Sequence, residues 1–201
     1  MSVAPRRALL YRGHSGVALT FDDGPHPDYT PRYLDLLREH GVRGTFFVVG
    51  ENIERHPDLV RRMVSEGHEV GNHGYGHLQA RRTSFAEFRA DLSRASLLLR
   101  RVARREVRLY RPPYADLPLL PLLYVLSRGF VTVMWDIDSL DYRRDARVVR
   151  DQLRRLNRWR GHVVLLHDDD GCALDVLPRL IREGKERGCA FKTVSEMIDG
   201  S

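Results

Sequence analysis

Short β-type runs alternate with longer helical segments along the chain, and this alternation limits the possible folds more than any other feature of the sequence. The runs are rich in β-branched and aromatic residues, which favour strands. The predicted strands are Val17–Phe21, Thr45–Val49, Glu69–Gly71, Val107–Tyr110, Val131–Trp135 and Val163–His167. Strands that are connected through helices lie parallel with right-handed crossovers, so the pattern predicts either an open doubly wound sheet or a closed barrel.

The helical segments have their own boundary signals. Between residues 85 and 102, apolar residues recur every three or four positions, and Ser84 with Glu87 predicts a capping box at the start of this helix. Four glycines each follow a helical pattern, as a left-handed helix C-cap does. They are Gly41, Gly67, Gly129 and Gly188.

With 201 residues and no long polar linker, the chain is expected to form one domain over residues 1–201. No apolar run approaches the length of roughly 18 to 20 residues that crosses a bilayer, and the first residues lack the apolar region of a secretory signal. We therefore expect no transmembrane segment and a cytoplasmic protein, or a secreted one if a leader precedes Met1. Cys172 and Cys189 show no C-x-x-C spacing and are expected to be reduced thiols.

The chain has a formal net charge of +6, which favours acidic partners in general. The arginines are scattered over the predicted helices, without interleaved aromatic residues or a known nucleic-acid motif. The expected surface is a solvated, arginine-rich one, and no nucleic-acid partner is predicted.

Two adjacent carboxylates, Asp22 and Asp23, follow the first predicted strand, and His73 and His77 follow the third. One carboxylate and two imidazoles provide three metal ligands and leave positions for water and substrate, while the second carboxylate is free to act as a base. This donor set suits Zn²⁺, although Co²⁺ or another divalent ion also fits. Each motif alone is also typical of a turn or a polar loop.

The polar clusters all lie at the C-terminal ends of predicted strands, where the loops of a barrel form its active site. This position favours a TIM-like barrel over an open sheet.

Five motifs in order resemble the polysaccharide deacetylase family, which is carbohydrate esterase family 4 and is also called the NodB homology domain. They are Thr20-Phe21-Asp22-Asp23-Gly24-Pro25, His73-Gly74-Tyr75-Gly76-His77, Arg111-Pro112-Pro113-Tyr114, Asp138-Ser139-Leu140-Asp141-Tyr142 and Leu165-Leu166-His167. The resemblance covers residues 17–197, nearly the whole chain. It implies a distorted TIM-like (β/α) barrel with seven strands.

The resemblance also implies a role for each motif residue. The metal ligands are Asp23, His73 and His77, and the catalytic residues are Asp22 as base, His167 as acid, Arg111, which orients the base, and Asp141, which supports the acid. The substrate-binding residues are Tyr114, Tyr142 and Leu165. Leu165 is expected to line the pocket for an acetyl methyl group.

The resemblance implies a metal-dependent hydrolase that removes an N-acetyl or other small acyl group from an amino sugar or oligosaccharide. Two alternatives are a hydrolase of a non-sugar amide, such as a ureide, and an inactive carbohydrate-binding relative. Gly74 replaces the Ser or Thr of the family motif, which predicts a looser metal loop, and Tyr142 replaces its Trp. The acidic run Asp168-Asp169-Asp170 is predicted either to add negative charge near the site or to form an exposed loop.

Overall fold

A computed structural model describes residues 9–10, 12–13, 15–156 and 159–199, which form an α/β fold around one parallel sheet. The strands are β1 (Leu9–Leu10), β2 (Val17–Asp22), β3 (Thr45–Val48), β4 (Glu69–Asn72), β5 (Leu109–Tyr110), β6 (Val131–Val133), β7 (Ile137–Asp138) and β8 (His162–His167). The helices are α1 (Thr30–Glu39), α2 (Gly50–Arg55), α3 (Pro57–Ser65), α4 (Phe85–Ala103), α5 (Leu119–Ser127), α6 (Ala146–Leu153), α7 (Leu177–Glu186) and α8 (Val194–Asp199).

Every strand pairs in parallel with its neighbours, in the order β1-β6-β5-β4-β3-β2-β8-β7. This curled sheet confirms the predicted TIM-like architecture. Strands β2 to β8 match the number of seven that the family resemblance implies, although β7 was not among the six strands predicted from residue patterns, and the two-residue β1 extends the sheet beside β6. Within the described residues β1 and β7 are the two edges of the sheet and do not pair, so the barrel is open on that side.

The two faces of the sheet have separate apolar cores, as the period of two along a strand requires. In β2, Leu19 and Phe21 pack outwards with α1, α3 and α7, whereas Ala18 packs inside the barrel. In β8, Val164 packs outwards and Val163 inwards. The inner positions continue with Thr20 and Asp22 in β2 and with Leu165 and His167 in β8, so the fold itself directs these side chains into the barrel.

Helix α8 closes the opposite end of the barrel. Its residues Val194 and Met197 are fully buried in the inner core, and the Val194 amide donates to the hydroxyl of Thr45 at the start of β3. The barrel interior is therefore accessible from the C-terminal ends of the strands. No helix in the described ranges is long and apolar enough to span a membrane.

The local predictions hold at the helix ends. Ser84 and Glu87 form the predicted capping box of α4, and the four predicted C-cap glycines all have positive φ angles, between 56° and 82°. Both cysteines are free thiols.

Candidate active site

Strand register places Asp22 beside His167. The two residues are Cα partners at the ends of β2 and β8, and Thr20 and Leu165 are partners one step deeper on the same face. Adjacent strands lie about 4.8 Å apart, so a carboxylate and an imidazole meet at the mouth of the barrel.

Asp23, His73 and His77 come together at the same end of the sheet. The Oδ1 atom of Asp23 lies 3.3 Å from Nε2 of His73 and 3.1 Å from Nε2 of His77. One potential ligand atom from each residue lies within 4.8 Å of the others. This group of one oxygen and two nitrogen donors could hold a metal ion.

The chemistry of these donors fits a divalent cation. A carbonyl oxygen can only accept a hydrogen bond, so Nδ1 of His73, 2.8 Å from the carbonyl of Arg111, carries the proton and Nε2 has a free lone pair in the neutral ring. Oδ1 of Asp23 is buried and accepts no well-aligned hydrogen bond. Burial raises the pKa of Asp23, but the two neighbouring imidazoles outweigh burial and hold this pKa well below its usual range, so the group is a carboxylate at neutral pH.

The loop between the two histidines is an irregular turn that α2 holds by its first amides. Gly50 donates to the carbonyl of Gly74 at 2.9 Å, and Glu51 donates to the carbonyl of Tyr75 at 3.0 Å. These two hydrogen bonds give the first N–H groups of α2 their acceptors, and they also hold the loop in place.

Two side chains hold the amides of this loop. The Asn72 carbonyl oxygen accepts from the Gly74 amide at 2.7 Å, and the Asp91 carboxylate on α4 accepts from the amides of Tyr75 and Gly76 at 2.8 and 2.7 Å. Gly74 has φ +79°, and a Cβ atom there would lie 2.8 Å from Asp91 Oδ2. Glycine therefore makes room for the carboxylate that holds the loop, and the looser loop expected for Gly74 stays a prediction.

Arg111 is fully buried and bonds to Asp22. Its Nη1 atom donates to Asp22 Oδ1 at 2.7 Å and to the Thr20 hydroxyl at 2.8 Å. Nε and Nη2 donate to the carbonyls of Val133 and Met134. Burial lowers the pKa of the guanidinium, and the Asp22 charge opposes this effect. The pairing fixes the position of the Asp22 carboxylate and leaves Asp23 as the carboxylate that faces the histidines.

His167 pairs with the fully buried Asp141. Nδ1 of the imidazole lies 2.7 Å from Asp141 Oδ1, and the backbone amide of His167 donates to Oδ2 at 2.7 Å. Burial lowers the pKa of His167, but the hydrogen bond and charge of Asp141, with the charges of Asp22 and Asp23, raise it to about 10. Because Nδ1 is engaged by Asp141, Nε2 is the ring nitrogen of His167 that is available to a ligand in the cleft.

These groups line one cleft of about 510 Å³, which is a typical size for a ligand site. The predicted substrate-binding residues Tyr114, Tyr142 and Leu165 all line it. Tyr114 lies 4.6 Å from the His77 ring, and Tyr142 lies edge-on to His167 at 5.9 Å, measured between ring centroids. The structure thus brings all ten predicted site residues to the cleft or to direct contact with its groups.

The acidic run lies beside the site as one of the two predictions had it, and its three carboxylates differ in exposure. Asp168 is fully buried, accepts from the Thr30 hydroxyl and has a pKa that burial and the nearby carboxylates raise to about 7. Asp170 is also buried and accepts from the Cys172 amide at 2.6 Å. Asp169 is exposed and lines the cleft. Asp170 lines the cleft as well, but within the run only Asp169 is exposed there.

A family model described as polysaccharide deacetylase matches residues 12–131, which is more than half of the chain. The chain belongs to the polysaccharide deacetylase family. It is 35% identical over 190 residues to a peptidoglycan-N-acetylglucosamine deacetylase of Bacillus cereus, covering 92% of this chain and 69% of the relative. It is 39% identical over 184 residues to a chitooligosaccharide deacetylase of Bradyrhizobium, covering 90% of this chain and 78% of that protein.

A solved structure agrees with this family assignment. The crystal structure of a peptidoglycan N-acetylglucosamine deacetylase, in complex with 4-naphthalen-1-yl-N-oxidanyl-benzamide, superposes with a TM-score of 0.91 at 32% identity. The superposition covers 97% of this chain and 94% of the other. The polysaccharide deacetylase fold therefore extends over the described chain well beyond residue 131.

Four residues of the site were not predicted from the sequence. Thr20 and Asn72 fix Arg111 and the histidine loop, Asp91 reaches that loop from α4, and Trp135 lines the cleft. Thr20, Asn72 and Trp135 lie at or next to the C-terminal end of a predicted strand, and this position could have identified them as residues near the cleft. Asp91 gave no such signal, because it lies within a helix 18 residues after His73.

Replacing Arg111 with Met is expected to lower the free energy of unfolding by about 3–5 kcal/mol, because Asp22 is left as an uncompensated buried charge. The measurement is urea denaturation with EDTA at pH 7. Arg111→Met with Asp22→Asn should recover much of the loss, and Arg55→Met, at a position 65% exposed, should change little. An Arg111→Met protein as stable as the original would show that Asp22 does not depend on this partner.

Asp91→Ala is expected to lower the affinity of the Asp23–His73–His77 group for a divalent cation about 10- to 100-fold, because two loop amides lose their acceptor. Calorimetric titration with ZnCl₂ measures the affinity, and circular dichroism checks the fold. Asp151→Ala removes an exposed carboxylate from α6 and serves as the control. Equal affinities of the two variants would show that Asp91 does not support the loop.

Proposed function

We propose that the protein is a metal-dependent hydrolase that removes the N-acetyl group from an N-acetylated amino sugar. The supporting observation is that one cleft contains a possible metal-binding trio, a carboxylate held by Arg111 and an imidazole held by Asp141. Family membership supports the reaction class, since the relatives described above are deacetylases of peptidoglycan and chitooligosaccharides. The proposed substrate therefore contains N-acetylglucosamine, and the proposed catalytic domain comprises the whole chain.

The proposed cofactor is Zn²⁺ held by Asp23, His73 and His77, because one carboxylate and two imidazoles are ligands that zinc prefers. Co²⁺ prefers similar ligands and also fits this site. When bound, the ion polarises both the attacking water and the amide carbonyl.

Asp22 is proposed as the general base. Its carboxylate accepts the proton of the water that attacks the carbonyl carbon, and its hydrogen bond from Arg111 keeps it oriented towards that water. The register of β2 and β8 places this base next to His167. Base and acid therefore act from neighbouring strands on the two sides of one amide bond.

His167 is proposed as the general acid. The raised pKa keeps the imidazole protonated at neutral pH, and Nε2 donates its proton to the amine nitrogen as the C–N bond breaks. The products are acetate and a free amino sugar. Asp141 keeps Nδ1 engaged, so that Nε2 is the atom that transfers the proton.

The walls of the cleft suit an acetylated sugar. Leu165 and Trp135 provide an apolar surface for the acetyl methyl group. Tyr114 and Tyr142 are 64% and 54% exposed, so their rings offer open aromatic faces to a sugar at the mouth of the cleft. Tyr142 lies beside the proposed acid, so it contributes to the choice of substrate.

Acetate release from N-acetylglucosamine oligomers, peptidoglycan fragments and N-acetylated monosaccharides tests the proposed activity. The zinc-loaded protein should release acetate, and Asp22→Asn should lower kcat by about 100-fold or more while zinc still binds. His73→Ala should lose both activity and zinc affinity. Absence of acetate release from a folded, zinc-loaded protein would contradict the proposal.

The pH dependence tests the acid. His167 has a raised pKa in the folded protein, so its protonated form is present below that pKa and is lost as pH rises through it. Asp141→Asn removes the carboxylate charge that raises the pKa of His167. It should therefore shift the alkaline limb of the pH profile of kcat/KM to lower pH by about 1 to 3 units. Asp151→Asn should leave the profile in place. An alkaline limb unmoved by Asp141→Asn would exclude His167 as the group that titrates there.

A further inference from the structure

Helix α5 belongs to a segment without charge. Residues 117–127 contain no charged side chain and include six leucines, between Asp116 and Arg128. Pro121 and Val125 are the residues of α5 that are buried against the fold. Leu117 also packs against an apolar core, but the exposed leucines of α5 need another explanation.

Three of these leucines form one exposed face. Leu119, Leu120 and Leu123 are 71%, 55% and 54% exposed. At 100° per residue they fall within a 100° sector of the helix, opposite Pro121 and Val125. Contiguous exposed leucines of this kind mark an interaction surface.

Arginines lie near both ends of α5 and beside its Tyr124, and together they form an arginine rim. Arg81 pairs with Asp116 at 2.8 Å, three residues before Leu119. The guanidinium of Arg89 lies 5.3 Å from the Tyr124 ring, and Arg128 follows the last residue of α5. Among the described residues neither Arg89 nor Arg128 has a carboxylate partner, so both keep their charge available to an anionic surface.

The leucine face lies close to the mouth of the cleft. Tyr114 lines the cleft and is itself exposed, and Leu119 follows it by only five residues. Five residues extend at most about 18 Å, so the start of α5 lies within that distance of Tyr114 at the cleft.

We propose that the leucine face of α5 and its arginine rim form a peripheral docking surface for an anionic lipid bilayer. Leucines that enter the interface provide apolar burial, and nearby arginines attract acidic headgroups. The net charge of +6 favours the same partner.

Under this proposal, docking through α5 brings Tyr114 at the cleft within about 18 Å of the residues that contact the headgroups. This inference concerns the surface of the protein and does not require the proposed reaction. Failure of vesicle binding and failure of acetate release are therefore separate results.

Sedimentation with vesicles tests this docking. The full chain should bind vesicles of equal parts phosphatidylglycerol and phosphatidylcholine, bind phosphatidylcholine vesicles much less, and lose binding as salt rises. Leu119→Ser should weaken binding to the anionic vesicles about tenfold. Leu97→Ser is the matched control for the leucine face, since Leu97 is 69% exposed on α4, where it lines a cavity with Tyr124 and Arg128 but is not one of the three leucines.

Three results would overturn the docking proposal. The first is no binding of the folded protein to anionic vesicles, and the second is an equal loss of binding for Leu119→Ser and Leu97→Ser. The third is a dimer in sedimentation velocity that Leu119→Ser with Leu123→Ser dissociates, which would assign the face to a second copy.

Discussion

The buried pairing of Arg111 with Asp22 determines the arrangement of the site. A guanidinium in the interior of a barrel is tolerated only when its donors are paired, and Arg111 has partners on β2, on β6 and just after β6. Because Asp22 is committed to this pair, the adjacent carboxylate is free for a different task. Asp23, with φ +72°, leaves the strand direction and meets His73 and His77. One buried ion pair thus divides two neighbouring aspartates into different environments.

Much of the fold could be predicted from the sequence, because local chemistry decides it. The long strands have β-branched residues, and the helix ends have a capping box and glycines in the left-handed region. The strands β1 and β7 were not predicted, since two residues give no periodic pattern and pair only because the sheet already exists. Motif positions at strand ends also indicated where the cleft lies.

The supporting residues of the site are harder to predict because their contacts are tertiary. Asp91 looks like a polar residue on an amphipathic helix, and only packing of α4 against the histidine loop gives it two amide partners. In the sequence, Gly74 suggests only that the hydroxyl of the family motif is missing. The structure shows that a side chain at this position would approach Asp91 too closely. A motif therefore identifies the groups that contact a ligand more readily than the groups that hold them in place.

The central claim is that Asp23, His73 and His77 bind the metal ion while Asp22 stays with Arg111. A crystal structure of the zinc-loaded protein, with anomalous diffraction at the zinc edge, tests this claim most directly. We predict one ion at about 2.0–2.2 Å from one oxygen of Asp23 and from a nitrogen of each histidine, with Asp22 still bonded to Arg111. An ion ligated by Asp22, or bound outside this cleft, would contradict the account.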